Sequence, residues 1–258
     1  MTSDPIDFQA RGPVAVVRLN RPRAHNAVND RMMDRLEATL DQLDTTPSVR
    51  AVVLTGAGSR TFCAGGDLRY FARLITREQA QAMSRRMQAL LQRLSNGRRV
   101  VIAAVNGQAL GGGVEILTAC HLRLAVPTAT FACRHAANGV TPGWGGGRGL
   151  YRLVGRGQAL RLLLTAETID AEEARRIGLI HRIVPQDSLI DAAQALGRAV
   201  AKHPLTGMRG ILALDRAVQE SSAALAERET ELFADLFMGR DFRRLLSRFL
   251  AARSRRKA

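Results

Sequence analysis

Two glycine-bearing turns hold the residue types best suited to chemistry. They are Phe62-Cys63-Ala64-Gly65-Gly66-Asp67 and Asn106-Gly107-Gln108-Ala109-Leu110-Gly111-Gly112-Gly113-Val114-Glu115. Each follows an apolar, strand-like run, Ala51–Thr55 or Val100–Val105, and each leads into a predicted helix. Residues without a Cβ let a ligand approach the main chain closely, and a helix N-terminus adds unpaired N–H donors and a favourable dipole for negative charge. Two such turns can present two backbone N–H groups to one oxygen, which is the physical recipe for an oxyanion hole. Taken singly, each glycine implies no more than a tight turn; a matched pair is harder to explain that way. Proton transfer needs a separate group, and Glu115, three residues after Gly112, stands in the first turn of the predicted helix. A carboxylate there also simply favours the helix N-terminus. Cys63 lies beside the first turn with no histidine near it in sequence, so a nucleophilic thiol is not expected.

These residues need elements to position them. Val14–Leu19 reads as a strand broken by Asn20-Arg21-Pro22, and Asn29 or Asp30 caps a predicted helix to about Leu43. Strand, loop and helix recur through residues 51–55, 78–95 and 100–105, and this alternation predicts an α/β core. Beyond about residue 155 the strand signal nearly vanishes. Helices are predicted over 158–164, 171–177, 188–202, 206–220 and 225–237, with one short strand at 182–184. Leu225, Leu232, Phe233, Leu236 and Phe237 fall broadly on one helical face, which either the core of the same subunit or a neighbouring subunit must cover. The chain shows no repeat at solenoid spacing and no low-complexity linker.

The chain has 258 residues, 46% of them hydrophobic, which suits one large domain or a core domain with a smaller appendage. No apolar run is long enough to span a bilayer, the N-terminus is polar and acidic, and three scattered cysteines make neither a disulfide framework nor a metal pattern. The expected compartment is the cytoplasm. A formal charge of +15 is unusual, and only Lys202 and Lys257 are lysines. It suggests either an anionic partner or arginines spread over helices. The arginines sit singly or in pairs, apart from the run Arg253-Ser254-Arg255-Arg256-Lys257, a tail expected to fray, so nucleic acid is not an expected partner.

Five ordered blocks carry a resemblance to a known family: Asn20-Arg21-Pro22…Asn26-Ala27, residues 62–67, residues 105–115, Pro142-Gly143-Trp144-Gly145-Gly146, and Ala171-Glu172-Glu173-Ala174…Gly178-Leu179-Ile180. From about residue 8 to 240 the chain resembles the crotonase (enoyl-CoA hydratase/isomerase) superfamily. The resemblance implies a spiral of ββα units in residues 1–195 and a helical, trimerising C-terminal region in 196–258. It also implies an acyl-coenzyme A thioester as substrate, with no separate cofactor and a homotrimer or hexamer as the assembly. By position it implies Gly66 and Gly112 as oxyanion-hole donors and Glu115 as an acid/base group. Asp67, Leu68 and Arg69 would lie along the thioester and pantetheine, and Cys63 and Ala64 near the adenine end.

One position departs from the family pattern. Hydratases carry a second glutamate four residues before a glycine; here that glycine is Gly139 and the position is His135. A histidine can act as acid or base, or merely line the pocket. The stretch from His135 to Gly146 is similar to an ethylmalonyl-CoA decarboxylase-like subset, and decarboxylation needs no activated water. The readings therefore run from a hydratase/isomerase-like lyase to a malonyl-type decarboxylase, and to a thioester-binding protein whose catalysis has decayed. Trp144, Phe71, Met83 and Met87 are candidates for the acyl pocket, although the two methionines, four apart on a helix, read better as ordinary core.

Overall fold

A computed structural model describes residues 4–220 and 223–254. Its chain runs β1 (Ile6–Arg11), β2 (Val14–Leu19), α1 (Asp30–Asp44), β3 (Ala51–Gly56), β4 (Thr61–Cys63), α2 (Leu68–Phe71), α3 (Arg77–Asn96), β5 (Val100–Val105), β6 (Gln108–Leu110), α4 (Gly112–Thr118), β7 (Leu122–Ala125), β8 (Thr130–Ala132), α5 (Gly146–Thr165), β9 (Thr168–Asp170), α6 (Ala171–Arg176), β10 (Arg182–Ile183), α7 (Leu189–Ala201), α8 (Leu205–Glu220), α9 (Ala223–Phe237) and α10 (Arg240–Ser254).

The larger sheet has the order β1-β2-β3-β5-β7-β10, with β1 antiparallel to β2 and every other pair parallel. The smaller has the order β4-β6-β8-β9. Three times in succession a strand of the large sheet passes through a turn into a strand of the small sheet and then into helix: β3-β4-α2, β5-β6-α4 and β7-β8-α5. This is the expected spiral of ββα units. β3 and β5 are buried along their whole length, as parallel strands with both faces covered must be. Helix α7 packs on β2, β3 and β5, and Gly197 permits the close approach, because a Cβ there would lie 3.1 Å from those of Ala51 and Val14's methyl.

Two buried asparagines hold the turns that leave β3 and β5. Asn106 Nδ2 donates to the carbonyls of Gly56 (3.0 Å) and Gly58 (2.6 Å), and its Oδ1 accepts from Gly56 N at 3.1 Å. Asn26 Nδ2 donates to Thr61 O (2.7 Å) and Ala57 O (3.1 Å), while its Oδ1 accepts from Arg21 N at 3.0 Å. Arg123, buried on β7, donates to Cys120 O at 2.6 Å and Leu179 O at 2.8 Å, tying β7 to the segments on either side.

Several expectations change. The strands at 61–63, 108–110, 130–132 and 168–170 are too short to show a period in sequence, whereas the strand at 6–11 (Ile6, Phe8 and Ala10 alternating with Asp7, Gln9 and Arg11) and the helix α10 (Phe242, Leu245, Leu246, Phe249 and Leu250 at helical spacing) carry a clear one and were missed. Helix α5 starts at Gly146, twelve residues before the expected 158, and breaks at Gly155 (φ 74°, ψ 165°). A division at 195/196 falls inside α7, which packs on β2, β3 and β5. The apolar face of α9 is covered within the same chain. Phe233 and Phe237 are buried, and Phe237 meets Phe71 edge to face (centroids 5.2 Å) and Phe242 at a tilt (4.8 Å). Leu236, assigned to that face, is instead 41% exposed. Arg253 and Ser254 are the last residues of α10; the side chains of Leu225 and Leu232 and the tail residues Arg255, Arg256 and Lys257 lie outside the described residues. Among the described residues, no helix is long and apolar enough to cross a membrane.

Candidate active site

The two glycine turns touch main chain to main chain. A Cβ on Gly65 (φ 88°) would lie 2.8 Å from Gly112 N, and one on Gly113 would lie 2.0 Å from Cys63 O. The amides flanking Gly66 are used: Val28 N donates to Gly65 O and Asp67 N to Val28 O, both at 2.8 Å. Among the described residues, the Gly66 and Gly112 amides themselves have no hydrogen-bond partner. The helices that follow are short, four residues for α2 and seven for α4, so dipoles contribute less than the sequence suggested and the two bare amides carry the electropositive character. Each glycine is faced by an aromatic ring. A Cβ on Gly66 would lie 2.0 Å from Phe71 Cζ, and one on Gly112 would lie 2.2 Å from Trp144 Cζ3.

Glu115 and His135 are buried and in contact. Glu115 Oε2 accepts from Trp144 N (2.7 Å) and Gly146 N (3.0 Å), and Oε1 accepts from Gly143 N (3.4 Å). His135 Nε2 lies 3.2 Å from Oε1. With three amides already donating, the carboxylate accepts this fourth bond as well, so Nε2 carries the hydrogen. His135 Nδ1 is then an acceptor, and it is buried with no partner among the described residues. A carboxylate behind an imidazole, with the far nitrogen unspent, is the orientation device of a general base.

The remaining predicted residues divide by exposure. Ala64, Leu68 and Asp67 are half-buried and Arg69 is exposed, so these can border a ligand. Asp67 is already committed: it caps α2 by accepting from Arg69 N (2.9 Å) and pairs with Arg21 Nη2 at 2.8 Å. Cys63 is fully buried, its Sγ 3.3 Å from Asn26 O, so its side chain turns into the fold. Burial pushes its thiol up to about 12, in keeping with an unreactive cysteine. Met87 is core, but Met83 also meets Trp144, whose Nε1 donates to Sδ at 3.3 Å.

Sequence reasoning missed the supports of the 143–146 loop. Ser84 Oγ (2.5 Å) and Gln88 Nε2 (3.0 Å) both donate to Gly143 O, and Gln88 also donates to Thr230 Oγ1 on α9 at 2.7 Å. Phe233 closes on the same peptide, since a Cβ on Gly143 would lie 2.5 Å from its ring. The available signal was polar Ser84 and Gln88 interrupting the apolar stripe Ala80-Met83-Met87-Leu91. A cavity of about 730 Å³ elsewhere in the fold holds none of these residues; it is lined by Leu40, Leu43, Val49, Arg93 and Arg99 near the N-terminal ends of β3 and β5.

The enoyl-CoA hydratase/isomerase family model matches residues 9–256. The chain belongs to that family. It is 36% identical over 248 residues to a short-chain-enoyl-CoA hydratase of Clostridium acetobutylicum, covering 95% of this chain and 94% of that protein. To a crotonyl-CoA hydratase of Syntrophomonas wolfei it is 32% identical, covering 98% and 97%. A solved enoyl-CoA hydratase/isomerase from Mycobacterium paratuberculosis superposes with a TM-score of 0.88 at 26% identity, over 95% of this chain and 98% of that one. The enoyl-CoA hydratase/isomerase family is enzymatic, and this member is an enzyme of that kind. A malonyl-type decarboxylase is not favoured, despite the His135–Gly146 similarity.

Proposed function

We propose that this enzyme adds water across the double bond of a 2-enoyl thioester of coenzyme A, with His135 Nδ1 as the base and Glu115 as the group that orients it. The observation that carries the reading is the buried, unpartnered Nδ1 behind which Glu115 holds Nε2 at 3.2 Å. Nδ1 takes a proton from water as hydroxide adds to C3. The displaced electron pair moves onto the thioester oxygen, giving an enolate that the Gly66 and Gly112 amides stabilise. The imidazolium, stabilised by the Glu115 carboxylate, then returns the proton to C2. Atoms balance as one water added, and coenzyme A enters as part of the substrate with no separate cofactor. Ala64, Leu68 and the exposed Arg69 border the thioester and its carrier. The enzyme is read as a cytoplasmic homotrimer or hexamer, for which Ile211 and Leu214 of α8, 69% and 70% exposed, offer apolar surface.

Crotonyl-CoA incubated in water labelled with heavy oxygen tests the reaction. The expected product is 3-hydroxybutanoyl-CoA carrying the label. Double-bond migration without label would make the enzyme an isomerase, and no change in the thioester would overturn the reading.

A further inference from the structure

We infer that Trp144 limits the length of the acyl chain, making this a short-chain enzyme. The inference rests on the proposed thioester chemistry and concerns the wall beside it. The six-membered ring of the indole packs against Gly112: a Cβ there would lie 2.2 Å from Cζ3, 2.6 Å from Cη2 and 2.7 Å from Cε3. The ring is 3% exposed and held at both ends. Its own backbone N donates to Glu115 Oε2 at 2.7 Å, and its Nε1 donates to Met83 Sδ on α3 at 3.3 Å. The peptide before it is fixed in turn, because Ser84 and Gln88 both donate to Gly143 O.

The ring beside the other glycine is also firmly held. Phe71 covers Gly66 and is backed by Phe237 (5.2 Å between centroids) and Phe242 (6.3 Å). Each of the two glycines whose amides would hold a thioester carbonyl therefore has a fixed ring beside it. A small acyl group fits beside the indole. A long chain must displace it, which breaks the Met83 contact and strains the loop that holds Glu115. Small differences in apolar chain length in a tight pocket change kcat/KM by about tenfold or more.

Two measurements on wild type, Trp144→Ala and Trp144→Leu test this: dissociation constants of the saturated thioesters butanoyl-CoA and dodecanoyl-CoA, and kcat/KM for crotonyl-CoA and trans-2-dodecenoyl-CoA. Wild type is expected to favour the four-carbon compounds in both. Trp144→Ala is expected to shift each ratio toward the twelve-carbon compound by about tenfold or more, with Trp144→Leu between; Leu keeps more of the packed volume should the alanine variant not fold. Equal handling of both lengths by wild type, or ratios that neither variant moves, overturns the inference. The two readings fail separately: hydration with an unmoved length ratio overturns the wall alone. Saturated thioesters that bind with the expected length ratios while neither enoyl-CoA is hydrated uphold the wall and overturn the hydratase.

Discussion

Replacing Glu115 by Gln keeps the shape of the side chain and removes the feature on which the proposed chemistry depends. The carboxylate accepts four hydrogen bonds, from Trp144 N (2.7 Å), Gly146 N (3.0 Å), Gly143 N (3.4 Å) and His135 Nε2 (3.2 Å). A carboxamide can face only one of these two donor pairs with its oxygen. The better orientation keeps oxygen toward Trp144 and Gly146, whose bonds are shorter, and turns the NH₂ toward His135 and Gly143. The NH₂ then donates to Nε2, which must give up its hydrogen, so the ring adopts the other tautomer and Nδ1 becomes a donor that cannot take a proton. Swapping carboxylate for carboxamide behind a catalytic imidazole lowers kcat by about 10⁴ in a serine protease, through the same change of tautomer. A loss of about 10³ to 10⁴ is expected here. Losing one charge-assisted bond and leaving the Gly143 amide facing a donor is expected to cost about 2 kcal/mol of folding stability. The assay is crotonyl-CoA hydration for Glu115→Gln, His135→Ala and the double variant, with butanoyl-CoA affinity as the control for an intact site. The pair acting as a unit requires each single loss to be nearly as severe as the double. If His135→Ala retains more than about a tenth of kcat while Glu115→Gln abolishes it, His135 is not the base and the reasoning fails.

Other perturbations read the surrounding geometry. Gly112→Ala drives a methyl into the Trp144 ring and Gly66→Ala drives one into Phe71, so both are expected to lower activity and to destabilise by about 1–3 kcal/mol through overpacking, measured by thermal melting. Wild-type melting in either variant would show that the rings give way. Ser84→Ala frees Gly143 O from one of its donors and is expected to reduce kcat several-fold, since the loop it holds both positions Glu115 and carries Trp144; an unchanged kcat would show that the Gln88 bond is enough to fix the loop. Cys63, Cys120 and Cys133 have thiols that burial pushes up to about 12. At pH 8 they are therefore protonated, and iodoacetamide should label them only after unfolding, with labelling counted by mass.

Much of the scaffold was legible because periodicity and punctuation are local. Val14–Leu19 and Val100–Val105 read correctly to the residue, and Asn29 caps α1, its side chain accepting from Met32 N. The strands of the small sheet were not legible: three residues each, they hold no period, and their pairing is with segments far along the chain. The start of α5 was hidden by Gly145-Gly146-Gly147, which sequence rules read as a turn but which packs as a helix start, where a Cβ on Gly146 would lie 2.3 Å from Glu115 Cβ.

The amino-acid sequence by itself determined the α/β alternation, the two glycine turns, the family and the absence of the second glutamate. Each follows from residue types at fixed spacing along one stretch of chain. The tertiary structure decided what those residues meet. Only the fold could show that His135 lies against Glu115 with Nδ1 unspent, that Trp144 and Phe71 face the two bare amides, and that α9 closes its apolar face on the same chain. Spacing sets which side of its own helix or strand a residue occupies. Contacts between loops 20 or more residues apart arise from packing, in which every buried ring and polar atom must find space and partners at once.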